Sequence, residues 1–402
     1  MLILGTFFLL FSKSLINSSE LPSTSTKIDP NTILVLFGTR HGNRNPEDFL
    51  PGNSRSWGFE GVAELTSFGK RQGYGLGVEM RKFIGNLTSR NFNTTEAQYF
   101  SSTANRCQMT IQTVTAALHI PETWGDWDTK TNWSPVPYTT NDPLLRMYSV
   151  KECTNSDKVW ALILNDQLDQ LQELKRDSAR ELAYFQANTG WNMSNLEKAA
   201  DLADNLIEID LYNATYPNWI EHPTLSGYNS ATLKAKIRSF SEVHSFACAN
   251  YYAPCRSLMA GLWLNDLITR LEAANSGNSL KIVGYASHSQ TLLSVMKLLG
   301  IEKEELTTSA GFVIEFKKVP NASIRILNHD PNPIDQHVIY PSILSKDLQK
   351  ITRISNGFIP LTEFVELVKN RAFSDWKSEC SVVTSEIRSR KAVCLFQTSQ
   401  TV

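Results

Sequence analysis

Net charge is nearly absent from this 402-residue chain: 39 lysines and arginines face 40 aspartates and glutamates, leaving −1. That balance excludes a cationic sheath for nucleic acid or an acidic membrane, so any anion site must be local and built from a few converging cations. After the first residues no apolar run reaches membrane-spanning length, because Leu258 to Leu267 is broken by Asn265 and Asp266. Cysteines number only six and none form a C-x-x-C pair, which argues against a zinc site of the usual kind. No cysteine is followed six residues later by arginine, no Gly-rich phosphate loop occurs, and there is neither an internal repeat nor a low-complexity segment. No metal and no cofactor are expected.

What is present is ordinary for a folded protein, with 42% hydrophobic and 20% charged residues. Residues 1–20 open with Met1-Leu-Ile-Leu-Gly-Thr-Phe-Phe-Leu-Leu-Phe11 and turn polar at Ser12 and Lys13. That apolar stretch is too short to span a bilayer and fits a signal peptide, although it lacks a leading basic residue and a clean cleavage site. Glycosylation acceptors at Asn86, Asn93, Asn132, Asn192, Asn213 and Asn321 lean the same way. The expectation is a secreted glycoprotein, or one in the lysosomal lumen, without a membrane anchor. In such a compartment Cys248 and Cys255 read as a disulfide rather than as metal ligands beside His244. Cys107 reads as a small buried residue on a helix face, and Cys394 has no assignment.

Thr32-Ile-Leu-Val-Leu-Phe37 is a continuous branched run bounded by Pro30 and Gly38, which predicts a strand buried on both faces. Thr66 is a plausible N-cap for a helix running to about Ile84, with Tyr74, Leu76, Met80 and Phe83 as its stripe. A short strand is expected at Gln98 to Ser101, with a helix over Asn105 to Leu118. Lys281 to Ala286 reads as a second buried strand leading through Ser287-His288-Ser289-Gln290 into a helix over Thr291 to Leu299. Between these lie Leu stripes at helical spacing over 159–185 and 194–211, and helical stretches over 231–250 and 257–274. The fold class expected is α/β: a central, mostly parallel sheet flanked by helices, with a largely helical cap insertion. The core would comprise 30–124 plus 251–380, the cap 125–250, and the tail 381–402.

Arg40-His41-Gly42-Asn43-Arg44 follows the first strand directly, and in open α/β sheets ligands bind beyond strand C-termini. Two guanidinium forks match phosphate oxygens, and they bracket an imidazole that neighbouring cations keep neutral. The run continues to Asn45-Pro46 and resembles the R-H-G-x-R-x-P signature of the histidine acid phosphatases, branch two of the histidine phosphatase superfamily. Leu65-Thr66-x-x-Gly69-x-x-Gln72 with Leu76-Gly77, Trp133-x-Pro135-Val136-Pro137, Pro360 to Val368 and Asp375-Trp376-x-x-x-Cys380 extend the resemblance over about residues 30–380. Its flavour is that of secreted prostatic, lysosomal and insect venom acid phosphatases.

The resemblance implies hydrolysis of phosphomonoesters through a phosphohistidine. His41 would be the nucleophile, Arg40, Arg44 and Arg106 the phosphate ligands, and His288 a further donor to the phosphoryl oxygens. It also implies a Cys153–Cys380 disulfide. The family's aspartate after the second histidine, the proton donor to the leaving oxygen, is here Ser289, and the next position is Gln290 rather than an acid. General acid catalysis supplies about 10²- to 10⁴-fold, so slowed turnover of alkyl phosphates is expected. Glu47 and Asp48, just past the loop, are candidate replacements. The alternative is a catalytically impaired relative that binds phosphate or phosphoesters as a secreted binding or effector protein. A cytosolic phosphoglycerate mutase conflicts with the leader, the acceptors and the helical insertion. Expected partners are a small phosphomonoester or a phosphorylated protein, with no nucleic acid; a homodimer is left open. His329-Asp330 reads as a structural turn, and His119 and His222 as structural.

Overall fold

The computed structural model describes residues 21–52, 57–146, 153–278, 280–332, 334–351 and 355–381. The leader, Cys394 and nearly all of the 381–402 tail lie outside them. β1 (Thr32–Arg40) is followed by α1 (Ser67–Ile84), β2 (Ala97–Ser101), α2 (Asn105–Leu118) and the two-residue β3 (Thr139–Thr140). A helical stretch follows: α3 (Thr154–Leu164), α4 (Asp169–Asp177), α5 (Ala179–Thr189), α6 (Leu196–Leu211), α7 (Ser230–Arg238), α8 (Val243–Asn250) and α9 (Ala253–Asn275). The chain then returns through β4 (Ile282–Ser287), α10 (Ser289–Leu298), β5 (Gly311–Lys317), β6 (Ser323–Pro331), β7 (His337–Pro341), β8 (Ile359–Pro360), α11 (Leu361–Val368) and α12 (Trp376–Ser381).

The strands lie in the order β3-β2-β4-β1-β5-β6-β7, with β8 against β6. From β3 to β1 every pairing is parallel; from β1 through β5, β6 and β7 every pairing is antiparallel. The fold class is α/β, a mixed sheet whose central strands are mostly parallel, flanked by many helices. The antiparallel side was largely missed from sequence, because buried antiparallel strands such as Gly-Phe-Val-Ile-Glu-Phe-Lys carry the same continuous apolar pattern as parallel ones.

β1 explains why two layers of helix are needed. Leu34 and Leu36 join one core with the helices of the 142–298 region, while Val35 and Phe37 join another with Leu76, Met80, Ile111 and Val114 of α1 and α2. Alternate residues point to opposite faces, so a strand apolar at every position must be covered twice. Thr66 caps α1, accepting from the Gly69 N–H, but Tyr74 is exposed and the buried stripe runs instead through Gln72, Gly73, Leu76, Met80 and Phe83. The leucine stripe over 159–185 belongs to three short helices rather than one long one.

His329 is not in a turn. It lies within β6, paired between Gly311 and Ile339, and its Nε2 contacts the Gly38 carbonyl at 3.1 Å. The antiparallel register carries the strand four residues past Leu327, where its apolar run ends. His119 is structural, bridging the Tyr99 hydroxyl at 2.6 Å and the Arg90 carbonyl at 3.1 Å.

Candidate active site

The loop after β1 is pinned by its backbone. Arg40 N–H donates to the Ala310 carbonyl and His41 N–H to the Ser287 carbonyl, both at 2.9 Å, while the His41 carbonyl accepts from Ser309 at 3.0 Å. Loop and α1 then meet backbone to backbone. A Cβ on Gly42 would stand 2.3 Å from the Gly69 carbonyl oxygen, and one on Gly69 would stand 2.2 Å from that of Asn43. Only glycine permits this approach. The Asn43 N–H is met by Gln72 Oε1 at 2.7 Å, which gives a physical role to each of Thr66, Gly69 and Gln72.

His41 is buried, and its Nδ1 lies 2.9 Å from the Gly42 carbonyl. A carbonyl only accepts, so Nδ1 carries the proton and Nε2 keeps its lone pair. Burial holds the imidazolium well below its ordinary range, and Arg106, Arg40, His288 and Arg44 add to the depression. His288, at the end of β4, stands with its ring 5.6 Å from that of His41. Its Nδ1 faces Arg106 Nη2 at 3.4 Å, and its Nε2 faces the Ser102 hydroxyl at 3.0 Å. Since a guanidinium only donates, Nδ1 accepts and Nε2 carries the proton in this state. Burial, followed by Arg106, Arg146, Arg44 and Arg40, also drives the His288 pKa down.

The parallel pairing of Arg40 with Ser287 and of Ser101 with Ala286 sets the ends of β1, β4 and β2 side by side. Arg40, His41, Arg44, Arg106 and His288 are therefore brought together beyond the C-terminal ends of these central strands. The Nε atoms of Arg40 and Arg106 are buried without a protein partner. A buried donor left unpaired is costly, and an anion in the cradle would satisfy both.

Sequence reasoning missed the site's carboxylates. Arg40 Nη2 is bound by Glu242, and Arg44 Nη2 by Asp204 at 2.9 Å. Asn43 Nδ2 donates to Glu208 at 2.6 Å. Burial raises the Glu208 carboxyl to about 8 despite that hydrogen bond, with Asp204 adding to the rise. Burial would lower the Arg44 pKa, but Asp204, Glu242, Glu47 and Asp201 together raise it. A signal existed for part of this set: Asp201, Asp204 and Glu208 share a face of α6 at i, i+3 and i+7. Glu242 carried none. Arg146 was also missed, lying in no motif although its charge reaches both His288 and Cys107. Of the candidate replacements beside the loop, Asp48 is bound to Lys198, while Glu47 is exposed and its charge reaches Arg44.

Two disulfides form: Cys153–Cys380 with Cα atoms 4.8 Å apart, and Cys248–Cys255 at 5.3 Å. Cys107 is a buried free thiol whose pKa burial lifts to about 11.

Comparison with known proteins agrees with this architecture. The chain is 25% identical to lysosomal acid phosphatase of Xenopus laevis over 87% of its length and 79% of that protein. It is 23% identical to human prostatic acid phosphatase over 87% of this chain and 88% of that one. The solved phytase of Citrobacter braakii superposes with a TM-score of 0.62 at 14% identity, covering 89% of this chain and all of that one, a likeness of fold. The family model described as histidine phosphatase superfamily (branch 2) matches residues 50–321, beginning just after the His41 loop. The chain belongs to the histidine phosphatase superfamily, branch 2.

Proposed function

We propose that this protein is a secreted acid phosphatase that hydrolyses phosphomonoesters through a phosphohistidine on Nε2 of His41. The observation that carries the reading is the neutral, oriented imidazole of His41 inside a cradle of Arg40, Arg44 and Arg106 with buried, unpartnered guanidinium N–H groups. Nε2 attacks phosphorus in line, the arginines stabilise the charge on the transferring oxygens, and water then releases phosphate. An incoming phosphoryl group would favour the His288 proton on Nδ1, turning that ring from acceptor to donor. The curated relatives named acid phosphatases support the activity class. Secretion rests on the leader and on six acceptor asparagines, all exposed, as glycosylation requires. Among the described residues no helix is long and apolar enough to cross a membrane.

Mixing the protein with a ³²P-labelled aryl phosphate and quenching in alkali is expected to leave an alkali-stable, acid-labile label on a peptide containing His41. Phosphate bound without label would instead indicate a binding protein.

Because His41 is held neutral below its ordinary range, it remains a competent base as the pH falls through 6.5. With correction for the second ionisation of the ester, near 6, kcat/KM for an aryl phosphate should not decline between pH 7 and 5. A one-proton acid limb centred on 6.5 would contradict the assigned state of His41.

A further inference from the structure

The loop after β4 lacks a carboxylate, because Ser289 and Gln290 stand where the resemblance calls for an acid. A carboxylate nevertheless reaches that spot from a different part of the chain. Glu242 immediately precedes α8, and its carboxylate is held by the hydroxyls of Ser245, at 2.8 Å, and Ser289. The two serine hydroxyls are themselves 3.2 Å apart and both residues are buried. The other oxygen of Glu242 takes Nη2 of Arg40. The carboxyl group is thus fixed between the former acid position and a cradle arginine next to the nucleophile. Glu242 also has a left-handed backbone, φ +56°, a conformation that favours glycine or asparagine. A non-glycine residue kept in such a conformation is a feature concentrated at functional sites.

We propose that Glu242 is the proton donor to the leaving oxygen, seated on Ser289 in place of the absent aspartate. This rests on the phosphatase reading above. In the empty cradle Glu242 is the counter-anion of Arg40, and despite its burial that pairing keeps its carboxyl below the ordinary range. A phosphoryl group claiming Arg40 removes that support and sets a second anion beside the carboxylate, so the carboxylic acid becomes the favoured form. In the first step the bond from His41 Nε2 to phosphorus forms and the bond from phosphorus to the leaving oxygen breaks. The leaving oxygen keeps that electron pair and takes the Glu242 proton. In the second step Glu242, now a carboxylate, accepts a proton from the water that attacks the phosphohistidine. Phosphate departs, His41 recovers its lone pair, and the carboxylic acid is restored. Of the other carboxylates at the site, Asp204 is held by Arg44 and Glu208 by Asn43.

The test compares glycerol phosphate, a poor leaving group, with p-nitrophenyl phosphate, which needs no acid. Glu242→Gln should lower kcat/KM, which reports only the steps up to departure of the leaving group, by about 10²-fold on glycerol phosphate and by less than about threefold on the nitrophenyl ester, nitrophenyl turnover also reporting that the variant folds. Ser289→Asp should leave kcat/KM on glycerol phosphate within about threefold in the wild-type background, where a donor is already in place, and restore most of the loss in Glu242→Gln. Equal losses of kcat/KM on both esters would make Glu242 only a positioning residue for Arg40 and overturn the proposal, as would no loss. In the unmodified protein, kcat/KM across a series of phosphate esters should depend weakly on leaving-group pKa; a steep dependence overturns any donor. Absence of turnover on every ester would instead overturn the phosphatase reading itself.

Discussion

His41→Ala is expected to lower kcat on p-nitrophenyl phosphate by at least about 10⁴-fold while leaving inorganic phosphate binding within about tenfold of the original. The size follows from removing the atom that forms the covalent bond, the kind of loss seen when a nucleophile is deleted from a concerted set. Phosphate binding should persist because the charge that attracts it sits on Arg40, Arg44 and Arg106, and the loop backbone is pinned independently through Ala310, Ser287 and Ser309. Alanine leaves Gly42 and its contact with Gly69 untouched. Isothermal titration with phosphate beside a steady-state assay checks both halves. Retention of more than a hundredth of the activity would exclude His41 as the nucleophile.

The second large effect concerns stability. Replacing Cys153 and Cys380 together with serine should lower the unfolding free energy by about 5 kcal/mol, and replacing Cys248 and Cys255 by about 2 kcal/mol, following the loop-length dependence of cross-linking entropy. The sequence separations are 227 and 7. The longer link fastens α12 to the start of α3, where Asn155 Nδ2 also donates to the Glu379 carbonyl at 3.1 Å, so its loss would free the end of the chain as well. Denaturant midpoints with matched slopes measure the difference. Equal shifts for the two bonds would sink the loop-length argument.

The residues most legible in the sequence were those whose chemistry and neighbours are local. Arg40, His41 and Arg44 stand within one loop, and the strand ahead of them announces its burial by an unbroken apolar run. Thr66, Gly69 and Gln72 were recognisable as a pattern, but only the structure gives the reason: they cap a helix, admit a backbone and receive the Asn43 N–H. The carboxylates were illegible for the opposite reason. Glu242 meets Arg40 across a sequence separation of 202, and nothing within a few residues of either marks the encounter. His329 was misread because a turn and a strand end look alike when a polar pair follows an apolar run. β5 was missed because pairing direction leaves no trace in a strand buried on both faces.

The position of β1 in the sheet also governs when this molecule becomes chemically competent. Its two neighbours are β4 and β5, so the earliest strand synthesised waits for partners that emerge from the ribosome only late. Until then Leu34 to Phe37 are an uncovered apolar segment, and His41 lacks the Ser287 and Ser309 contacts that hold its loop. Nearest-neighbour pairings of this span slow folding. The nascent chain carries no assembled cradle until β4 and β5 have emerged; the His41 loop, written near the start, is completed only by strands more than 240 residues further on.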